Sequence, residues 1–183
     1  MADIIFGDVV PSGKLPITFP ASTDQLPPYD DYSMKGRTYR YMAEKPLYPF
    51  GFGLSYTSFR FDSVALSAPS IAAGAVIKAK VTLTNTGKRD ADEVAQIYVS
   101  KDERGPDDPL YSLRGFRRVF VPAGKSATVE FELCAAAFET INAEGEAVLL
   151  PGSYTVIAAD AAPTPVSVEK GAPVPVQAKI RVS

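Results

Sequence analysis

From Phe59 to the last residue the chain alternates apolar and polar side chains, and that period of two limits its fold more than any other feature. Ile77, Ala79, Val81 and Leu83 fall on one side of an extended chain, with Lys78, Lys80, Thr82 and Thr84 on the other. Ala127, Val129, Phe131 and Leu133 alternate in the same way with Ser126, Thr128, Glu130 and Glu132. Phe59 and Phe61 start a strand that continues to Leu66 with a phase slip at Ser63. Glu93 to Ser100 is apolar on both faces, which predicts a central strand. Leu113 to Val121 predicts another, with Gly115 as a bulge. Residues 134–146 read as a connection with a helical turn at Ala135 to Phe138. Ala147 to Leu150 and Tyr154 to Ala159 predict a hairpin-like pair about Pro151-Gly152, followed by a Pro/Ala-rich loop. The last strand carries Val174, Val176, Ala178, Ile180 and Val182 inward. About seven strands with turn residues between them predict an immunoglobulin-like antiparallel β-sandwich, and the lack of long helical periodicity excludes a parallel βαβ sheet here.

What precedes Phe59 differs in kind. Tyr48-Pro-Phe-Gly-Phe-Gly-Leu-Ser-Tyr56 crowds aromatics around two glycines and a proline. Gly51 and Gly53 allow backbone angles that a Cβ forbids, so the stretch reads as a packed hinge between part of one domain and the whole of another. Ala2 to Phe6 reads as the end of an amphipathic helix stopped by Gly7, too short to stand alone. Its Ile4, Ile5 and Phe6 have no obvious partner within the chain. Leu15 to Pro20 predicts a short apolar strand whose two prolines fit only an edge. Residues 1–20 are therefore expected to be the tail of an α/β-sandwich domain, 21–57 an aromatic and Pro-rich linker, and 58–183 the β-sandwich. Within the linker, Arg37-Thr-Tyr-Arg-Tyr41 predicts a short extended piece.

Absences narrow the chemistry. The sequence has no His, which removes serine-hydrolase triads, most zinc sites and the commonest general base. Its single Cys134 excludes an intrachain disulfide and, with no base nearby, reads as a structural or unreactive thiol. One cysteine does not decide the compartment. A net charge of -2 without a basic block argues against nucleic acid and anionic membranes. No apolar run is long enough to span a membrane, and no signal peptide is expected at Met1-Ala-Asp.

Three motifs carry a resemblance: Pro11-Ser-Gly-Lys-Leu-Pro-Ile-Thr-Phe-Pro20, Asp31-Tyr-Ser-Met-Lys-Gly-Arg-Thr-Tyr-Arg-Tyr41 and Tyr48 to Tyr56. Together they are similar to the C-terminal part of family 3 glycoside hydrolases, the β-glucosidase and β-xylosidase group. Val81 to Gly87, Asp92 to Val99, Leu113 to Val119 and Leu150 to Tyr154 resemble the fibronectin type III-like domain that ends those enzymes. The resemblance covers essentially the whole chain. It implies a retaining glycosidase, exported to the periplasm or the medium in many members, whose nucleophilic Asp lies in an N-terminal barrel beside a Trp. This sequence has no Trp. The acid/base Glu of the family lies in an earlier part of the α/β domain. Retaining chemistry needs two carboxyls about 5 Å apart. The local pairs Asp30/Asp31, Asp107/Asp108 and Glu144/Glu146 match no catalytic motif of the family, so no catalytic or substrate-binding residue, metal ligand or cofactor is assigned.

Two roles remain. The first is a structural portion that braces missing upstream catalytic domains, in the same or a separate chain, and meets oligosaccharide only through that parent. Its clamp would be Asp31, Tyr32, Arg37, Tyr39, Arg40, Tyr41, Phe50, Phe52 and Tyr56, with Arg37 and Arg40 paired to Asp30, Asp31 or Glu44. An apolar patch around Ile4, Phe6, Ile17 and Phe19 would then face the missing domains. The second is an autonomous carbohydrate- or protein-binding sandwich, with the linker tyrosines as a sugar shelf.

Overall fold

A computed structural model describes residues 2–183; Met1 lies outside the described residues. The alternating stretches become β1 (Phe59–Leu66), β2 (Ser70–Ile71), β3 (Val76–Asn85), β4 (Ala91–Lys101), β5 (Ser112–Val121), β6 (Ser126–Cys134), β7 (Thr140–Ile141), β8 (Ala147–Val148), β9 (Gly152–Ala159) and β10 (Val176–Val182). They build a three-stranded sheet in the order β1-β3-β6 and a five-stranded sheet in the order β2-β10-β9-β4-β5. Neighbours are antiparallel except β2 and β10, which run parallel.

Ile77, Ala79, Val81 and Leu83 of β3 point into the sandwich with Val129, Phe131 and Leu133 of β6. They meet Ala95, Ile97 and Val99 of β4 and Val156 and Ala158 of β9. Burying one such side chain is worth about 1.5–3 kcal/mol, so this core holds the two sheets together. The phase slip expected at Ser63 is a register shift between Phe61 and Ser63, and the bulge expected at Gly115 is a shift in the β4–β5 pairing at Ile97/Tyr98. Ala135–Phe138 forms the expected helical turn and buries Phe138.

Four local expectations are corrected. Ala147–Val148 pairs with Thr140–Ile141, not with β9, because β9 already lies between β4 and β10. The Pro/Ala-rich stretch contains a helix, α3 (Pro165–Glu169), capped by the Thr164 side chain accepting from Ser167 N–H and started by Pro165. Leu15 to Pro20 is no regular strand. Phe19 makes one antiparallel bridge to Tyr48, and Leu15 exchanges bonds with Phe52 and Gly51, since two prolines interrupt the ladder. Arg37 to Tyr41 is not extended: Thr38–Tyr41 makes one helical turn, α2. Near the N-terminus the short helix Ala2–Ile5, called α1 below, is closed by a left-handed Gly7.

Candidate functional site

Part of the outer face of the five-stranded sheet, over β4 and β9, is covered as well as the inner one, and the linker contributes the cover. Tyr98, Ile157 and Ala159 point away from the main core and form a second buried cluster with Tyr39, Phe50, Tyr111 and Leu113. The Tyr39 ring stacks on Phe50 at 4.4 Å and meets Tyr98 edge-on at 6.0 Å. The Tyr39 hydroxyl accepts from Leu113 N–H at 3.0 Å. Aromatic pairs of this kind add about 0.5–1.5 kcal/mol each beyond the area they bury.

Glycines let the strap lie this close. A Cβ on Gly51, which is left-handed, would stand 2.7 Å from Ala161 Cα, and one on Gly53 would stand 2.3 Å from the Gly13 carbonyl oxygen. The strap is then tied electrostatically at a place that sequence reading missed. Lys14 Nζ lies 2.9 Å from Glu93 Oε1 and 2.7 Å from Asp160 Oδ2, with both carboxylates buried. Burial works against the Lys14 ammonium, but Asp160 and Glu93 outweigh it and hold its pKa above the ordinary value. Burial, reinforced by repulsion from Asp160, raises Glu93 against the pull of Lys14. Gln96 Nε2 donates to the Asp160 carbonyl, and the Tyr98 hydroxyl donates to Gln96 Oε1, so the tie continues into the aromatic cluster. The motif Pro11-Ser-Gly-Lys14 marked the turn, but a lysine in a turn gives no local sign of partners this distant in sequence.

Asn85 closes the other end. It is fully buried, accepts from Thr57 Oγ1 at 2.7 Å and Gly87 N–H at 3.1 Å, and donates to the carbonyls of Arg89 and Val121.

The clamp residues divide into groups. Tyr39 and Phe50 lie on the sheet, as above. Phe52 packs against Tyr48 at 4.8 Å. The Tyr56 hydroxyl donates to the Ile4 carbonyl at 2.7 Å and its ring lies under Arg89 at 5.8 Å, which ties α1 down. Arg37 and Arg40 do not pair with Asp30, Asp31 or Glu44. Arg37 donates instead to the carbonyls of Asp31 and Ser33, because the tight 31–37 loop turns its main chain toward the guanidinium. Arg40 lies over the Tyr41 ring at 5.5 Å. Asp31 accepts from Ser33 N–H at 2.8 Å, which lowers its pKa, while Tyr32 is exposed and joins none of these contacts.

Of the carboxylate pairs, Asp108 is held by Lys101, Gly105 N–H and Thr140, and Asp30, Asp107, Glu144 and Glu146 are exposed. Among the described residues no group of three or more His, Cys, Asp or Glu could hold a metal. Cys134 is exposed. No helix among the described residues is long and apolar enough to cross a membrane.

The two packed antiparallel sheets are the architecture of a fibronectin type III-like module. Residues 93–162 match the fibronectin type III-like domain, and residues 1–56 match the glycosyl hydrolase family 3 C-terminal domain. The chain belongs to family 3 of the glycoside hydrolases, as a C-terminal portion that includes their fibronectin type III-like domain. It is 43% identical over 158 residues to a xylan 1,4-β-xylosidase of Xylanibacter ruminicola, covering 86% of this chain and 18% of that one. It is 38% identical over 168 residues to a periplasmic β-glucosidase of Salmonella typhimurium, covering 85% and 22%. A solved β-glucosidase of Erythrobacter marinus superposes on all of this chain and 23% of its own, at a TM-score of 0.79 and 33% identity. The chain thus spans about a fifth of the length of these relatives.

Proposed function

We propose that this chain is the bracing portion of a β-glucosidase- or β-xylosidase-like enzyme that cleaves terminal β-glycosidic bonds with retention, and that it hydrolyses no glycoside alone. In this reading residues 1–20 are the tail of the α/β domain, 21–57 the clamp and 58–183 the brace. The observation that carries it is the lock between Lys14 and the Glu93–Asp160 pair. Such a lock ties the segment around Lys14 to the sandwich, which is what a brace requires and a mobile linker lacks. The apolar side chains of Ile5, Phe6 and Ile17 support it further, since each stands exposed and could meet a missing domain. The test is complementation. A full-length relative shortened by its matching C-terminal fifth should lose thermal stability and recover it when this chain is added. A shortened relative of unchanged stability and activity contradicts the reading.

The second reading, an autonomous sugar-binding sandwich, has one observation in its favour: Tyr29 is 97% and Tyr32 88% exposed. Tyr39, Tyr98 and Tyr111 are packed on one another and form no open shelf. Retention of the chain on insoluble xylan or cellulose, lost on Tyr29→Ala, would favour this second role.

A further inference from the structure

We propose that the pocket beside the Lys14 tie binds a primary ammonium cation. The inference goes beyond the bracing role and does not depend on it. Lys14, Glu93 and Asp160 stand together in the wall of a pocket of about 250 Å³, with Ser55, Thr57 and Ser58 also in its lining. Both carboxylates are buried, Asp160 to 6% exposure. Lys14 Nζ takes one oxygen of each, Glu93 Oε1 at 2.9 Å and Asp160 Oδ2 at 2.7 Å. Val94 N–H donates to the same Glu93 Oε1 at 2.7 Å. The second oxygen of Asp160, Oδ1, is buried and has no hydrogen-bond partner among the described residues. Lys170, the other cation in the pocket wall, places its ammonium over the Tyr48 ring at 5.0 Å and is in an ion pair with neither carboxylate.

Two buried carboxylates share one ammonium, so one negative charge of the pair has no counter-charge, and a buried acceptor without a donor is costly. A cation that donates N–H bonds relieves both. What is left unused selects among such cations. A guanidinium fork binds best across both oxygens of one carboxylate, and Lys14 already holds Oδ2 of Asp160 and Oε1 of Glu93. An ammonium is a compact point charge with three diverging donors. One donor suits Asp160 Oδ1, and the hydroxyl-bearing lining offers acceptors for the others. The same chemistry is carried by a free small amine and by the lysine side chain of another protein segment, which differ in what flanks the charge.

The test follows the side-chain carboxyl carbon signals of Asp160 and Glu93 in the full, isotope-labelled chain by NMR at about pH 8 while methylammonium chloride is added. Both signals should shift saturably. Sodium chloride and tetramethylammonium chloride at equal ionic strength should not move them, since neither cation has an N–H to donate. Asp160→Asn and Glu93→Gln, each read at the remaining carboxylate, should weaken binding about tenfold, because one ammonium then faces one carboxylate. That balance keeps both variants folded, which thermal melts establish, and either one alone decides the point. Glu130→Gln, on β6 in the other sheet, should leave binding as it was. N-acetyl-lysine amide binding at least as tightly as methylammonium supports the site with a protein side chain as its source; binding of methylammonium alone supports it with a free amine. No saturable shift overturns the proposal, as do equal shifts with sodium or tetramethylammonium and binding that survives both carboxylate variants. Binding that emerges only after Lys170→Gln also overturns it, because the place would then belong to this chain's own Lys170. None of these outcomes bears on the complementation test, so the bracing role stands or falls separately.

Discussion

Lys14 and Asp160, 146 residues apart in sequence, meet at 2.7 Å on a surface where Asp160 and its neighbour Glu93 are both buried. One ammonium thus serves two carboxylates, and among the described residues no other cation is in an ion pair with either. Lys14→Met should cost about 3–5 kcal/mol, because it leaves two buried carboxylates without a counter-charge. Adding Glu93→Gln and Asp160→Asn to Lys14→Met should recover much of that loss, since no charge is then left unpaired. Urea unfolding of the unsubstituted chain, the single variant and the triple variant measures this, and a triple variant as unstable as the single one would contradict it.

The pH dependence of stability should have three parts. Glu93 is held above its ordinary 4.5, so between 4.5 and its folded value the folded chain keeps a proton that the unfolded chain has lost. Stability therefore falls as pH rises through that window, and Glu93→Gln should remove the slope. Burial pushes Asp102 up, but bonds from Lys179, Thr155 and Ser153 outweigh it and bring its pKa down to about 2. Its contribution is present above its ordinary 3.8 and lost as pH falls from there toward 2; Asp102→Asn should flatten this limb. Lys14 stands above 10.5, so its contribution is full below that pH and lost as pH rises through the folded value. Urea melts across the pH range, on the chain and the two variants, check all three slopes.

Gly53→Ala should loosen the strap, at a cost of about 1–3 kcal/mol for forcing a methyl against the Gly13 carbonyl. Gly13→Ala is the matched control, because a Cβ there meets nothing within 4 Å and should change stability by no more than about 0.5 kcal/mol. Limited proteolysis between residues 20 and 50 should speed up in the first variant and not in the second.

Asn85→Ala should cost about 3 kcal/mol, since it removes a fully buried amide and leaves its four partners, on Thr57, Gly87, Arg89 and Val121, without their bonds. Asn85→Asp should fail as well, because a carboxylate has no N–H for the two carbonyls. Thermal unfolding of both variants tests the point.

Phe6 and Phe138 should separate surface from core. Phe6 is 82% exposed and Phe138 2%. Phe138→Ala should cost about 3–5 kcal/mol, and Phe6→Ser no more than about 0.5 kcal/mol. Comparable losses in the two would mean that α1 is anchored through Phe6, against the exposed surface described above.

The sandwich was legible because its evidence is local. The slip at Ser63, the bulge at Gly115 and the alternation of Ile77 to Leu83 are each written within one strand, where a period of two shows which face is buried. The lock was not legible, because nothing in the neighbourhood of Lys14 announces Glu93 or Asp160; only the docked strap brings them together. The helical turn at Thr38 escaped because its alternating Arg and Tyr side chains imitate a strand, while the fold needs that turn to lay Tyr39 against Phe50. The helix after Thr164 did carry a local signal, a capping Thr followed by Pro, hidden within a stretch rich in Pro and Ala. Arg37 was paired with the wrong groups because an acidic neighbourhood suggests carboxylates, whereas the tight loop offers carbonyls closer at hand.

The most direct test is hydrolysis of a chromogenic aryl β-glucoside and aryl β-xyloside by the purified chain, beside a full-length relative as positive control. The account predicts turnover by the relative and none above the blank by this chain. Turnover that follows the chain through purification and is lost on Asp31→Asn would contradict it, because a catalytic carboxylate would then act where the structure has an exposed loop.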